Sequence, residues 1–172
     1  RGEMLIRGYE VRRTDSFALL TSTMTEMFER ILDGEEWAAV GMTKAVIDDV
    51  KGRKVDAADL VISRSCKGTL RRNGTVDFSK VYNNPDGLPY VRAAKERIRR
   101  GLPFTPGMKV GYIVIDAKSS PMTVEPWLVD EIGEDPPKYD PDYYARRLAK
   151  SLGRITEAFG WSEAELMSGS RQ

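Results

Sequence analysis

The 172-residue sequence predicts an α+β fold, predominantly helical, with a few short strands. Three observations carry this expectation. Apolar residues recur at helical spacing in four separate stretches. One near-continuous apolar run, Val110-Gly111-Tyr112-Ile113-Val114-Ile115, has the length and β-branched content of a strand covered on both faces. The remaining strand-like signal is confined to short runs between Gly, Pro and Asn breakers.

The elements follow in chain order. Residues 4–12 hold two short apolar runs around Arg7-Gly8 and read as extended chain, either two strands or one bent one. Thr14 or Asp15 is placed to cap a helix in which Leu20, Met24, Met27, Phe28 and Ile31 share a face. Asp33-Gly34 breaks it. Trp37, Val40, Val46, Ile47 and Val50 predict a second amphipathic helix that ends at Gly52, and the short link calls for antiparallel packing. Leu60 to Ser63 suits a strand or a helix end, and residues 67–87, with four Gly or Pro and the pair Asn83-Asn84, read as a long loop. Pro89 opens a helix that Gly101 ends, with Val91, Ala94 and Ile98 on its buried side. Asp140-Pro141 caps a long helix carrying Tyr144, Leu148, Leu152, Ile155 and Phe159 inward and Arg146, Arg147, Lys150 and Arg154 outward. Residues 167–172 are small and polar and receive no element.

Composition narrows the chemistry. With 41% hydrophobic and 31% charged residues and a mean hydropathy of -0.43, the chain reads as an ordinary globular protein large enough for a real core. No apolar run approaches the roughly 20 residues that cross a bilayer. The single Cys66 forms no internal disulfide, and a reducing cytoplasm is the expectation. With no His, the Ser-His-Asp and Cys-His nucleophile systems and His-containing metal sites are excluded, and one Cys excludes an all-cysteine zinc site. The chain starts at Arg1 and not at Met, which suggests a processed or cut-out piece. Asp48-Asp49 and Asp130-Glu131 are adjacent carboxylates that point about 100° apart on a helix, better suited to a solvated surface than to a metal. Cys66 beside Lys67 has no general base within reach of the sequence pattern and reads as an inert residue.

Charge is segregated along the chain, although the net is only +1. Residues 64–109 hold eleven Lys or Arg against Asp77, Asp86 and Glu96, a local net of +8; residues 111–143 reverse this to -6. The acidic block, interrupted by Pro126, Pro136 and Pro137, reads as solvated loop. The basic block, with Tyr82 and Tyr90 interleaved, suits phosphates, because Arg forks onto two oxygens and Lys acts as a point charge. A sequence-independent grip on a duplex backbone follows from this pattern. A free-standing domain that docks an acidic protein on the same basic face is the alternative, and charge alone does not separate the two.

Several motifs in order sharpen the reading. Arg7-Gly8-Tyr9-Glu10-Val11-Arg12-Arg13-Thr14-Asp15 resembles the R-G-x-x-x-V-R-R-D element that leads from palm to thumb in archaeal family B DNA polymerases. Leu60-Val61-Ile62 with Lys67, then Tyr82, Pro89-Tyr90-Val91 with Ala94, Arg100-Gly101, Pro106-Gly107, Gly111-Tyr112-Ile113-Val114, and Tyr139-Asp140-Pro141-Asp142-Tyr143-Tyr144 followed by Ala158-Phe159-Gly160 resemble the thumb of those enzymes. The departures are Arg12, Thr14 and Ser16 in the first element, Tyr90 in place of the usual His of P-H-V, and a longer loop over 68–80. Neither the Y-x-D-T-D nor the S-L-Y-P motif of the palm is present.

The resemblance implies a segment 1–13 connecting palm to thumb, a thumb domain over 14–161 and a tail over 162–172. It implies part of a DNA-directed DNA polymerase, a nucleotidyltransferase, without catalytic residues of its own, gripping primer-template DNA in replication and active only with a palm- and exonuclease-bearing chain, as in split polymerases. The implied DNA contacts are Arg7, Gly8, Arg13 and Asp15 near the palm junction, then Lys67, Tyr82, Arg92, Lys95, Arg99 and Arg100. The chain itself would hold no cofactor, with magnesium in the partner's palm. A sliding clamp met through the C-terminal tail, and a place at the nucleoid, complete what the resemblance implies.

Overall fold

A computed structural model describes residues 15–127 and 135–169, which form two compact units, one from residues up to 60 and from 140 onward, the other from 61 to 139. The extended chain expected over 4–12 and the carboxylates Asp130 and Glu131 lie outside the described residues. The fold is α+β and predominantly helical, as the sequence predicts.

The first unit is helical. Helices α1 (Ala18–Leu32) and α2 (Glu36–Lys51) pack on each other, and α2 packs on a long helix α4 (Pro141–Thr156), which in turn carries a short α5 (Glu163–Ser168). Helix α3 belongs to the second unit. Leu20, Met24, Met27, Ile47, Val50, Tyr144, Leu148, Leu152 and Leu166 are fully buried. Asp140 caps α4 as expected, its carboxylate accepting the Tyr143 N–H at 3.1 Å with Pro141 in the first turn.

Three expectations for this unit are corrected. Thr14 lies outside the described residues, and Asp15 does not cap α1: the flanking residue is Phe17, without a side-chain cap, and the Asp15 carboxylate lies upstream, 3.5 Å from the Arg147 guanidinium. Trp37 is exposed, at 63%, because it falls on the flank of α2 away from Ala39, Val40, Thr43 and Ile47. The tail is structured through Ser168. Ser162 and Glu165 form a capping box at the start of α5, and Lys44 and Lys51 of α2 donate to the Leu166 and Met167 carbonyls at its end, 2.9 and 2.6 Å away.

In the second unit, strand β4 (Lys109–Asp116) is the middle of a three-stranded antiparallel sheet. It is flanked by β1 (Ile62–Ser65) and β5 (Thr123–Pro126), with Ile62 opposite Tyr112 and Val124 opposite Val114. Every residue from Val110 to Val114 is buried. Helix α3 (Pro89–Arg99) packs on β4 and β5. Strand β5 corrects part of the acidic block from solvated loop to sheet edge, a place that tolerates Pro126. The loop over 67–87 contains a small hairpin, β2 (Thr69–Leu70) with β3 (Val76–Asp77), and a 3-10 turn Pro85–Gly87.

Helix α3 ends at Gly101 in the left-handed region, φ +77°, and the Leu102 N–H returns to the Arg97 carbonyl at 2.8 Å. That return also shifts the buried face. Arg97 is only 4% exposed because its Nε and Nη2 donate to the Pro103 carbonyl at 3.1 and 3.0 Å, whereas Ile98, expected inside, is 44% exposed.

Two helix-interior glycines separate propensity from packing. A Cβ at Gly153 of α4 would meet the backbone of Glu163, its Cα 3.2 Å and its N 3.3 Å away; a Cβ at Gly41 of α2 would meet nothing within 4 Å. Gly41→Ala should therefore stabilise by about 0.5–1 kcal/mol. Gly153→Ala should destabilise by about 1–3 kcal/mol, because α5 must move to admit the methyl. Urea unfolding of both variants checks this, and a stabilised Gly153→Ala would show that α5 yields freely.

Candidate nucleic-acid interface

The cations of the basic block divide into those committed within the chain and those left open to solvent. Helix α3 holds most of the first kind. Glu96 gathers two of them: its carboxylate accepts from Arg99 Nε at 2.9 and 3.0 Å, from Arg99 Nη2, and from Arg100 Nε at 2.9 Å. The hydrogen bonds from Arg99, reinforced by Arg100, hold the Glu96 carboxyl far below its ordinary 4.5, down to about 2. Lys95 Nζ lies 2.5 Å from the Asp86 carboxylate, and Arg92 donates to the Asp86 carbonyl at 3.0 Å and the Met122 carbonyl at 2.6 Å. Four expected contacts, Arg92, Lys95, Arg99 and Arg100, thus already have partners on their own unit, which lowers the free positive charge of this helix.

The other expected pair is brought together. Tyr82 Oη accepts the Lys67 N–H at 3.0 Å, and the Tyr82 ring meets Tyr90 edge to face with centroids 5.8 Å apart. Tyr90 is buried, which raises its phenol above the ordinary value, and the Arg64 guanidinium stacks over its ring at 4.5 Å. A pillar of two tyrosines and an arginine therefore fixes the chain between β1 and the hairpin and leaves the Lys67 side chain exposed.

Two cations absent from the expected set belong beside Lys67. Arg64 lies on β1 opposite Val110, and Lys109 opens β4 opposite Ser65. Residues opposite each other in an antiparallel pair share a face, so Lys109 lies with Ser65 on one face of the β1–β4 pair and Arg64 with Val110 on the other. Ser63, Arg64, Ser65, Lys67 and Lys109 are all exposed. The signal for this edge was available in the alternation Ile62-Ser63-Arg64-Ser65, which puts two hydroxyls on one face of an edge strand and a cation on the other. Beyond the sheet, Arg72 and Lys80 are exposed as well.

Arg7, Gly8 and Arg13 lie outside the described residues. Asp15 is occupied by the first unit. Arg147 Nη1 approaches its carboxylate, Arg147 Nη2 donates to its carbonyl at 3.1 Å, and the same guanidinium lies 5.5 Å from the Phe17 ring centroid and donates to Tyr143 Oη at 3.2 Å. Arg147, expected on an outward face, is instead the link between the start of α1 and α4.

Nucleophile and metal chemistry find little support in the described residues. Burial pushes the Cys66 thiol up to about 11, so its neighbour Lys67 does not activate it. Asp48 pairs with Lys44, and among the described residues no group of three His, Cys, Asp or Glu is arranged to hold a metal ion.

Known proteins give this geometry a context. No family profile matches the chain. It is 28% identical over 167 residues to a DNA polymerase of Pyrococcus glycovorans and 29% identical over 167 residues to a DNA polymerase of Thermococcus litoralis; each match takes in 96% of this chain but 20% and 9% of those proteins. The structure of the family B DNA polymerase from Pyrobaculum calidifontis superposes on 83% of the chain and 18% of that enzyme, with a TM-score of 0.58 at 28% identity. The chain spans a fifth or less of the length of the relatives it matches. Over nearly all of its own length, this chain is a homologue of archaeal family B DNA polymerases, matching one part of them.

Proposed function

We propose that the chain is the thumb part of a DNA-directed DNA polymerase, holding the backbone of primer-template duplex while a palm-bearing chain performs the chemistry. The observation that carries this reading is the match of 96% of the chain to polymerases, together with open cations along the β1 edge. Lys67, Arg64 and Lys109 are the phosphate contacts in this reading, with Ser63 and Ser65 as hydroxyl donors on the face that Lys109 shares. The α3 cations Arg92, Lys95, Arg99 and Arg100 add a second, weaker field because acceptors already hold them. Tyr82 acts as a positioning residue for Lys67, and Asp15 as one for the entry into α1. Arg7, Gly8 and Arg13 are assigned to the primer side near the palm, where Gly8 admits close backbone approach and Arg13 a charged contact. Magnesium belongs to the palm's carboxylates, because the Y-x-D-T-D motif is absent from this sequence. A sliding clamp reached through the C-terminal tail and a nucleoid location are part of the same reading.

Given primed DNA, magnesium and nucleotides, the 172-residue chain by itself should incorporate nothing, and a palm-bearing partner chain should restore synthesis. Measurable incorporation by the pure chain would sink the proposal.

Duplex binding should be independent of sequence and steep in salt. With about four to six phosphates neutralised, log K against log salt should fall with a slope of roughly -4 to -5. Arg64→Ala should make that slope shallower by about one, whereas Arg154→Ala, an exposed residue of α4 in the other unit, should leave it within error. Equal changes in the two variants would reduce the edge to one part of a diffuse field.

Glu96 gives a test of opposite sign. Glu96→Gln releases Arg99 and Arg100, so duplex affinity should rise and the salt slope steepen. The folded carboxyl is depressed, so its contribution to stability is present above pH about 4.5 and disappears as the pH falls toward 2. The melting-temperature gap between wild type and Glu96→Gln should therefore be open at pH 6 and close between pH 4.5 and 2. A gap unchanged at pH 2.5 would contradict the ion-pair assignment.

A further inference from the structure

The tip of the β2–β3 hairpin carries a reactive side chain that the duplex grip does not use. The chain has three asparagines, Asn73, Asn83 and Asn84, and they differ in the residue that follows. A side-chain amide is lost when the main-chain nitrogen of the next residue attacks Cγ, so that residue needs an N–H and little bulk. Asn84 precedes Pro85, which has no N–H, and Asn83 precedes the bulkier Asn84. Asn73 precedes Gly74, where even an added Cβ would meet nothing within 4 Å. Both residues are exposed, so water reaches the amide from either side.

The electrophile is held and polarised. Asn73 Oδ1 accepts the Thr75 N–H at 3.0 Å and the Thr75 hydroxyl at 2.6 Å. Arg71 Nη1 donates to that hydroxyl oxygen at 3.1 Å, which directs the hydroxyl hydrogen to Asn73 and strengthens it as a donor. Attack on Cγ drives negative charge onto Oδ1, the atom on which the two Thr75 donors converge. The nucleophile is restrained by one bond. Gly74 N–H donates to the Arg71 carbonyl at 3.0 Å, closing the turn, and that bond has to open before attack. The hairpin has two residues in each strand and an exposed tip, so the opening is local. It leaves the Thr75 donors in place, because they bind the Asn73 side chain and not the Arg71 carbonyl.

We propose that Asn73 is a site of spontaneous deamidation, at which the turn converts an amide into a carboxylate. Gly74 N gives its proton to hydroxide and forms a bond to Asn73 Cγ; the Cγ–Nδ2 bond breaks, and Nδ2 takes a proton from water and leaves as ammonia. The resulting five-membered imide adds water at one of its two carbonyls and reopens. One opening yields aspartate at position 73, the other isoaspartate, in which Cβ and Cγ belong to the main chain. One water enters, one ammonia leaves, and nothing is oxidised. The product sets a new carboxylate beside the exposed Arg72 and lowers the net charge of the basic block by one. The isoaspartate form also lengthens the main chain between Arg71 and Thr75, whose N–H to carbonyl bond is 2.7 Å. The inference rests on the hairpin alone and stands whether or not the chain grips DNA.

The test incubates the full chain at pH 8.5 and 37 °C, in ordinary water and in water labelled with heavy oxygen, and follows it by cation exchange and mass spectrometry. An earlier-eluting form should accumulate, heavier by about 1 Da, or by about 3 Da in the labelled water, with fragmentation placing the change at position 73. Thr75→Val, at an exposed position, should slow its formation at least threefold, and Thr75→Ser should keep the wild-type rate. Arg71→Met, which takes the cation from the hydroxyl, is the second slowing variant should Thr75→Val fail to fold. In 8 M urea all four chains should react alike, because the donors are no longer held against Asn73. The proposal is overturned if the folded chain keeps its mass, if the change falls on Asn83, or if a folded Thr75→Val or Arg71→Met reacts as fast as wild type.

Discussion

Strand β4 must be buried, and the second unit is arranged around that requirement. Val110, Gly111, Tyr112, Ile113 and Val114 leave no polar alternation for a solvated face, so the strand needs neighbours on both edges and cover above and below. Helix α3 supplies cover through Tyr90, Val91, Ala93 and Ala94, and β1 and β5 take the two edges. Once β1 is hydrogen-bonded to β4 in its observed register, the positions of Arg64, Ser65 and Lys109 are set to within a side-chain rotamer. The candidate phosphate edge is a by-product of satisfying an apolar strand, which explains how a surface grip can be rigid without a large interface of its own. The Arg64–Tyr90–Tyr82–Lys67 pillar extends the same rigidity from sheet to loop, because Tyr90 is anchored in the core and each successive group leans on the one before.

Much of the fold was legible in the sequence because its signals are local. Helical spacing located four helices, Asp140-Pro141 marked the start of α4, and the apolar run from Val110 gave the central strand. What was missed depends on contacts between distant residues. The tail is helical because Lys44 and Lys51, more than a hundred residues earlier, bind the last carbonyls of α5. The local sign was its capping box, Ser162 with Glu165 three residues on. The β2–β3 hairpin lies in a stretch whose Gly and Asn content hides two-residue strands. Arg97 and Ile98 exchanged their expected places because periodicity counts an arginine as polar, whereas the Pro103 carbonyl, delivered by the turn at Gly101, makes its burial affordable in hydrogen-bond terms.

The candidate site was legible only as a composition. A count of +8 over residues 64–109 identifies a basic region but does not distinguish an arginine clamped by Glu96 from one that faces solvent. Resolving that distinction requires knowing which carboxylates and carbonyls fold back on the helix, and these come from Asp86, Glu96, Met122 and Pro103. The sequence reading therefore chose α3, where cations are dense, and passed over β1, where they are few but open.

That division has a physical consequence for any protein that must hold a polyanion and still move along it. Each phosphate neutralised releases about one counterion and multiplies affinity, so a surface with every cation free would bind tightly enough to resist sliding. Glu96 competes with phosphate for Arg99 and Arg100, and Asp86 competes for Lys95. Binding through those residues must break an existing pair, so its net gain is small, whereas Lys67 and Lys109 are exposed and Arg64 is held only by stacking on Tyr90. Under the proposed function, a small set of open cations would give the hold, and a larger paired set would add a field that guides the duplex without fixing it. In that reading the acidic residues inside the basic block are part of the grip, since they limit how many phosphates it can engage at once.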